Sequence, residues 1–234
     1  MEKAGKEYKI TYKTYDNERL KKSLFHNKLM YPLYIQVVFD RIPITFKSYY
    51  FDLFSKAKYG INAAGKLIIP DIKEIIKKET TLIEFIIEIN LHSFSLDTFK
   101  KEYTFYSRDL LDTMEDSFLD YLFVFLHDEG LPSLANTIQI GVPGIVPYDI
   151  IQDMQRALNL ALYKKLIENS FYFAPPYLPL YEFAEEIKKA NSLCITVMEW
   201  EQQMKGDFTA FFKKQYPDRN VEETLKKIGE WIKK

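Results

Sequence analysis

Apolar and polar positions alternate with period two through the first fifty residues and with a helical period through most of the rest. In residues 7–14, Tyr8, Ile10 and Tyr12 fall on one side and Lys9, Thr11 and Lys13 on the other. That alternation, rich in aromatic and β-branched residues, predicts a half-buried strand. Residues 17–30 break the pattern, carry Arg19, Lys21, Lys22 and Lys28, and predict a basic loop or short helix. The stretch Tyr31–Phe51, YPLYIQVVFDRIPITFKSYYF, reads as a hairpin about a polar turn at Asp40-Arg41. Leu33, Ile35, Val37 and Phe39 share one face of its first strand, and Tyr34, Gln36 and Val38 the other. In the return strand Ile42, Ile44 and Phe46 alternate with Pro43, Thr45 and Lys47. Pro43 has no N–H to give to a ladder, so it belongs at an edge or a strand start.

Beyond Gly60, Gly65 and Pro70 the period changes. Pro70 opens a helical pattern, with proline in the first turn where its missing N–H costs nothing. The run Thr81–Asn90 fits either a strand or a continuation of that helix from Asp71, and the helix is favoured. Ser95 opens a short helix through Tyr103. Ser107–Glu129 predicts a long helix capped by Ser107 and stopped by Gly130 and Pro132. Residues 131–147 read as a loop or a short extended excursion. Helices are expected over 148–168, 178–190, 195–215 and 221–233, with a loop around Pro176. The fold class is therefore α+β: a small N-terminal three-stranded antiparallel sheet, residues 1–65, followed by a larger, mainly helical part, residues 66–234.

Charge sharpens this division. Residues 1–70 hold 13 Lys and Arg against 6 Asp and Glu, and residues 71–234 hold 19 against 27. A basic sheet module can attract phosphate backbones, and an acidic half would repel them. The alternative is that the two halves simply attract each other. With 47% hydrophobic residues the chain can bury a sizeable core. Cys194 is the single cysteine, which excludes an internal disulfide framework and a CxxC metal site. The opening residues are charged and lack the apolar run of a leader. The longest apolar run, Tyr121–Leu126, is far below the roughly 20 residues of a membrane span. The expectation is a soluble, cytoplasmic protein without membrane contact.

Two constellations carry candidate chemistry. On the polar side of the sheet, Gln36, Thr45 and Lys47 are the residues that could reach base edges, since Gln pairs bidentately with adenine and Lys reaches guanine. Lys9, Lys13 and Arg41 would add phosphate contacts. An ordinary solvated sheet face is the competing reading. In the long helix Asp109, Asp112, Asp116 and Asp120 recur at helical spacing, so they share one face. Such a stripe is a docking surface for a basic partner or for the chain's own N-terminal half, a plain solvated face, or a divalent-metal site of a nuclease built on Asp109, Asp112 and Asp116; the helical part as a whole could engage a protein partner or a second copy. The metal site is the weakest of these readings, and no cofactor or metal is assigned. His26, His92 and His127 lie far apart, and Gly141-Val-Pro-Gly144 is too short for a phosphate loop. The aromatic run Phe171–Tyr177 could stack bases, dock a protein, or pack a loop onto the helical core. The last helix carries a Val221, Leu225, Ile228 and Ile232 stripe for packing or dimer contact.

The hairpin also carries a resemblance. Pro32, Leu33, Tyr34 and Ile35, the basic turn at Arg41 and the closing run Thr45 to Ser48 resemble the N-terminal arm-type DNA-binding module of the tyrosine recombinases of Bacteroidetes mobile elements. Phe94–Tyr103 is similar to the segment that leads those enzymes into their helical core-binding domain. The resemblance covers residues 8–60 and 94–103 and implies binding of double-stranded DNA through the sheet. It does not extend to the family's chemistry. None of the three histidines is followed by an arginine three residues on, and the tail EWIKK holds no tyrosine nucleophile. The reading is a non-enzymatic DNA-binding accessory protein of a bacterial mobile element or phage. Its alternative is a protein-interaction or assembly subunit with no nucleic-acid role.

Overall fold

The structure is a computed structural model of the 234-residue chain, and it describes residues 9–26, 28–60, 70–141, 146–187 and 194–234. Contacts divide the described residues into two compact units, one made of 9–60 with 70–107 and the other of 108–234. The first contains β1 (Thr11–Asp16), β2 (Ser23–Phe25), β3 (Lys28–Met30), β4 (Leu33–Phe39), β5 (Ile42–Lys47), α1 (Tyr49–Ser55), α2 (Ile72–Ile89) and α3 (Leu96–Tyr106). A single 3-10 turn, Ala57–Tyr59, follows α1.

β1, β4 and β5 form the expected three-stranded antiparallel sheet, in the order β1-β4-β5. Register places Tyr12 opposite Val37, Thr14 opposite Ile35, Ile35 opposite Phe46 and Val37 opposite Ile44, so these residues share one face. That is the core face: Leu33, Ile35 and Val37 are buried, α2 packs on β1 and α3 on β4. Rings of Phe46 and Tyr103 meet edge to face, 4.6 Å apart, and Phe39 meets Phe94 at 5.0 Å.

Three local readings change. Residues 17–30 contain the β2–β3 hairpin, its Phe25 buried against Phe51 at 5.1 Å. The return strand ends at Lys47, and Tyr49–Ser55 is helix, because the Ser48 hydroxyl accepts from the Phe51 N–H and caps it. α2 and α3 belong with the sheet rather than with the helical part that follows. α2 is one continuous helix, as favoured, opened by Asp71, and α3 runs three residues beyond Tyr103.

The second unit is helical: α4 (Leu110–Asp128), α5 (Pro132–Gly141), α6 (Pro147–Ala157), α7 (Leu160–Phe173), α8 (Tyr177–Ile187), α9 (Val197–Glu199), α10 (Lys205–Gln215) and α11 (Val221–Lys233). α4 is its centre and packs against α5, α6, α7, α8 and α11. Its cap is Asp109, not Ser107; Ser107 instead closes α3, donating its N–H to the Tyr103 carbonyl. The expected loop over 131–147 holds α5, which opens on Pro132 and buries Ala135 and Ile138. The expected helix 148–168 is two helices, because Asn159 turns extended and caps α7 through the Leu162 N–H. Between α9 and α10 the helix 195–215 passes through a π turn at Trp200–Met204. Gly130 ends α4 with a φ of 77°, a conformation open to glycine. No described helix is long and apolar enough to cross a membrane.

Candidate nucleic-acid interface

The second face of the sheet is assembled by register. Lys13 lies opposite Gln36 and Gln36 opposite Thr45, so the three form one row across β1, β4 and β5. The next row is Tyr15, Tyr34 and Lys47, and the one on the other side is Thr11, Val38 and Pro43. Thr11, Lys13, Pro43, Thr45 and Lys47 are exposed, and Gln36, Tyr15 and Tyr34 half-buried. Four of the six residues picked from the sequence therefore stand on one face. Of the other two, Lys9 is exposed just before β1, and Arg41 is exposed at the hairpin turn.

Neighbours set what each group can do. The Gln36 amide donates to the Thr45 hydroxyl at 3.5 Å, which holds it over the central strand. The Lys13 ammonium lies over the Tyr15 ring, 5.1 Å from its centre, and Tyr15 and Tyr34 rings sit 6.4 Å apart. Lys47 is engaged by Asp52 of α1 at 2.5 Å. An exposed ion pair is worth only about 0–1 kcal/mol, so phosphate can compete for that ammonium. Tyr15 and Tyr34 were missed in the sequence. Period two alone does mark Tyr34 as a neighbour of Gln36 on that face.

Behind the sheet lies a buried polar cluster that the sequence did not announce. Glu79 of α2 is fully buried and accepts hydrogen bonds from the Ser48 hydroxyl, the Tyr103 hydroxyl at 2.8 Å and the Tyr50 N–H at 3.3 Å. The Tyr49 N–H donates to the Tyr103 oxygen at 3.1 Å. Burial pushes the Glu79 carboxyl up to about 7, although all three bonds favour its charged form. The cluster ties the start of α1 to α2 and α3. With its carboxylate fully buried, it positions the sheet and offers no group to a ligand.

The acidic stripe of the long helix divides. Asp109 is fully buried: its carboxylate accepts from Leu111 N–H at 3.2 Å, Asp112 N–H at 3.4 Å and Ile195 N–H at 3.0 Å. It belongs to the core and leaves the docking face, because the cap also holds the backbone at Ile195 and is enclosed. Asp112 is half-buried, whereas Asp116 and Asp120 are exposed. With Asp109 committed to backbone amides, Asp109, Asp112 and Asp116 do not form a common carboxylate site. Among the described residues no three His, Cys, Asp or Glu side chains come together as a metal-binding group. A second cluster joins Glu182 to the Tyr216 hydroxyl and stacks Tyr148 on Tyr181 at 4.3 Å. Burial raises Glu182, and raises Tyr148 with help from the Glu182 and Glu185 charges. Cys194 is buried, His92 and His127 are exposed, and the His26 ring is bonded to the Phe54 carbonyl at 2.7 Å.

Compared with known proteins, the chain matches no family model, no curated sequence and no solved structure.

Proposed function

We propose that the first unit binds double-stranded DNA through the Lys13–Gln36–Thr45 face of its sheet, and that the protein is a non-enzymatic accessory factor of a bacterial mobile element or phage. The observation that carries this reading is that row of three side chains, on three adjacent strands and on the face away from α2 and α3. Strands about 4.8 Å apart make a three-stranded sheet about 10 Å across, within the roughly 12 Å of a major groove. Gln36 then reads a base edge, Lys47 exchanges Asp52 for the DNA, and Lys9, Lys13 and Arg41 hold phosphates. The likeness of the hairpin to arm-type modules supports the same face.

The test is a titration of the whole chain with random duplex DNA at two salt concentrations. Three phosphate contacts give a slope of log affinity on log salt of about −3. Lys13→Ala weakens binding to every sequence and flattens that slope by about one. Gln36→Ala costs about 1–3 kcal/mol of discrimination at one base pair. Absence of binding at low salt, or full affinity in both Lys13→Ala and Lys47→Ala, overturns the reading.

A further inference from the structure

Two surface features in different units have complementary chemistry. Between α4 and α5 an open groove of about 180 Å³ has Leu119, Phe123 and Ile138 along its floor and Asp116 and Asp120 at its rim. It is smaller than the roughly 300–1,000 Å³ of small-molecule sites, so its natural occupant is one large apolar side chain. The groove's charged lining, Asp116 and Asp120, has one sign. From residue 109 to 155 the chain has nine Asp and Glu and no Lys or Arg. Val124 on α4 and Ile140 on α5 are also 55% and 81% exposed.

The β2–β3 hairpin is the converse. Leu24 and Leu29 face each other across its two strands and remain 64% and 67% exposed. Lys21, Lys22 and Lys28 around them are exposed as well. The hairpin is anchored from beneath, by Phe25 against Phe51 and by His26 on the Phe54 carbonyl. It therefore presents its leucines on a fixed support.

We propose that the β2–β3 hairpin of one copy docks in the α4–α5 groove of a second copy. One leucine fills the cavity, and the hairpin lysines meet Asp116 and Asp120. The two surfaces are different patches, so the contact is head-to-tail and repeats into short chains or a ring. It is small, which places it among weak, reversible contacts. An acidic rim excludes nucleic acid as the occupant. This inference goes beyond DNA binding and is tested without DNA, so either can fail alone.

The experiment is sedimentation equilibrium of the whole chain over a concentration series at low and high salt. The wild type is expected to gain mass with concentration, less so at high salt. Leu24→Ser/Leu29→Ser and Asp116→Asn/Asp120→Asn each weaken association about tenfold or more. Both change only surface side chains, and unchanged melting confirms that each is folded. Mixed in equal amounts, the two variants form a one-to-one dimer and nothing larger, because only one intact hairpin and one intact groove remain. A wild type that stays monomeric throughout overturns the proposal, whether the hairpin then serves a membrane, DNA or its own chain. So does undiminished association of either variant, or a mixture that remains monomeric.

Discussion

Arg41 has a φ of 65° and Asp40 one of 48°, so both central residues of the hairpin turn are left-handed. Such a two-residue turn matches strand twist but favours Asn and Gly. Asp enters this region with help from its short polar side chain, whereas an ordinary L residue pays about 1–2 kcal/mol there. Arg41→Gly should therefore raise stability in urea by about 1 kcal/mol, part of the relief being offset by glycine's freedom in the unfolded chain. If the turn holds a phosphate, DNA affinity falls in the same variant and the salt slope drops by about one. A stabilised variant with unchanged affinity removes Arg41 from the interface. Gly60 is constrained differently, by a neighbour. A Cβ there would lie 2.3 Å from Nδ1 of His26, the ring that holds the β2–β3 hairpin to the Phe54 carbonyl. Gly60→Ala must displace that ring and should cost about 1–3 kcal/mol. Thermal melting measures the cost, and an unchanged melting temperature would mean that the His26 bond contributes nothing.

The joining of elements depends on two buried carboxyl groups, Glu79 and Asp109. Glu79 is bound at the start of α1 with its carboxyl raised to about 7 by burial, from an ordinary value near 4.5. Below about 4.5 it is neutral in both folded and unfolded chains. Between there and about 7 the folded chain keeps the proton that the unfolded chain releases, so stability falls as pH rises through this window, by about 3 kcal/mol in all. Glu79→Gln keeps an acceptor for Ser48 and Tyr103 and cannot ionise. The loss of urea midpoint between pH 4.5 and 8 should be smaller in that variant than in the wild type, the remainder belonging to other raised carboxyls such as Glu182; an equal loss in both would assign it elsewhere. Asp109 is a cap whose carboxyl oxygens accept from three backbone N–H groups, and Asp109→Ala should cost about 2–3 kcal/mol by orphaning the Leu111 and Ile195 amides together. Neither role was legible in the sequence. Period two did place Gln36 beside Thr45, since register follows from alternation once one face is apolar. Helical spacing, however, made Asp109 one of four equivalent aspartates, and only the segment at Ile195, 86 residues away, makes it different. The same limit explains α5 and the break at Asn159. A short helix is decided by the surface it packs on, and a cap by the residue that happens to turn extended.

At the scale of the whole chain the charge division survives in a weaker form. Residues 9–60 with 70–107 carry 15 Lys and Arg against 11 Asp and Glu, and residues 108–234 carry 14 against 20. The split read at residue 70 was steeper because it left out α2 and α3, whose carboxylates return to the sheet unit. The proposed DNA binding then rests on local placement on one sheet face rather than on net charge, and replacing Lys213 and Lys214 of α10 by Ala should leave affinity unchanged. The two proposals also meet here. If sheet faces hold DNA and hairpins hold neighbouring copies, each weak protein contact becomes intramolecular on a shared duplex, and effective concentration multiplies its effect. Binding to a duplex long enough for several copies should then be cooperative and tighter per site than binding to a duplex that admits one. Leu24→Ser/Leu29→Ser keeps every lysine, so it should bind the short duplex like the wild type and lose the cooperative gain on the long one. Equal per-site affinity on both lengths for the wild type would mean that self-association and DNA binding are separate activities of the chain. Loss of affinity on the short duplex would mean that the hairpin itself touches DNA.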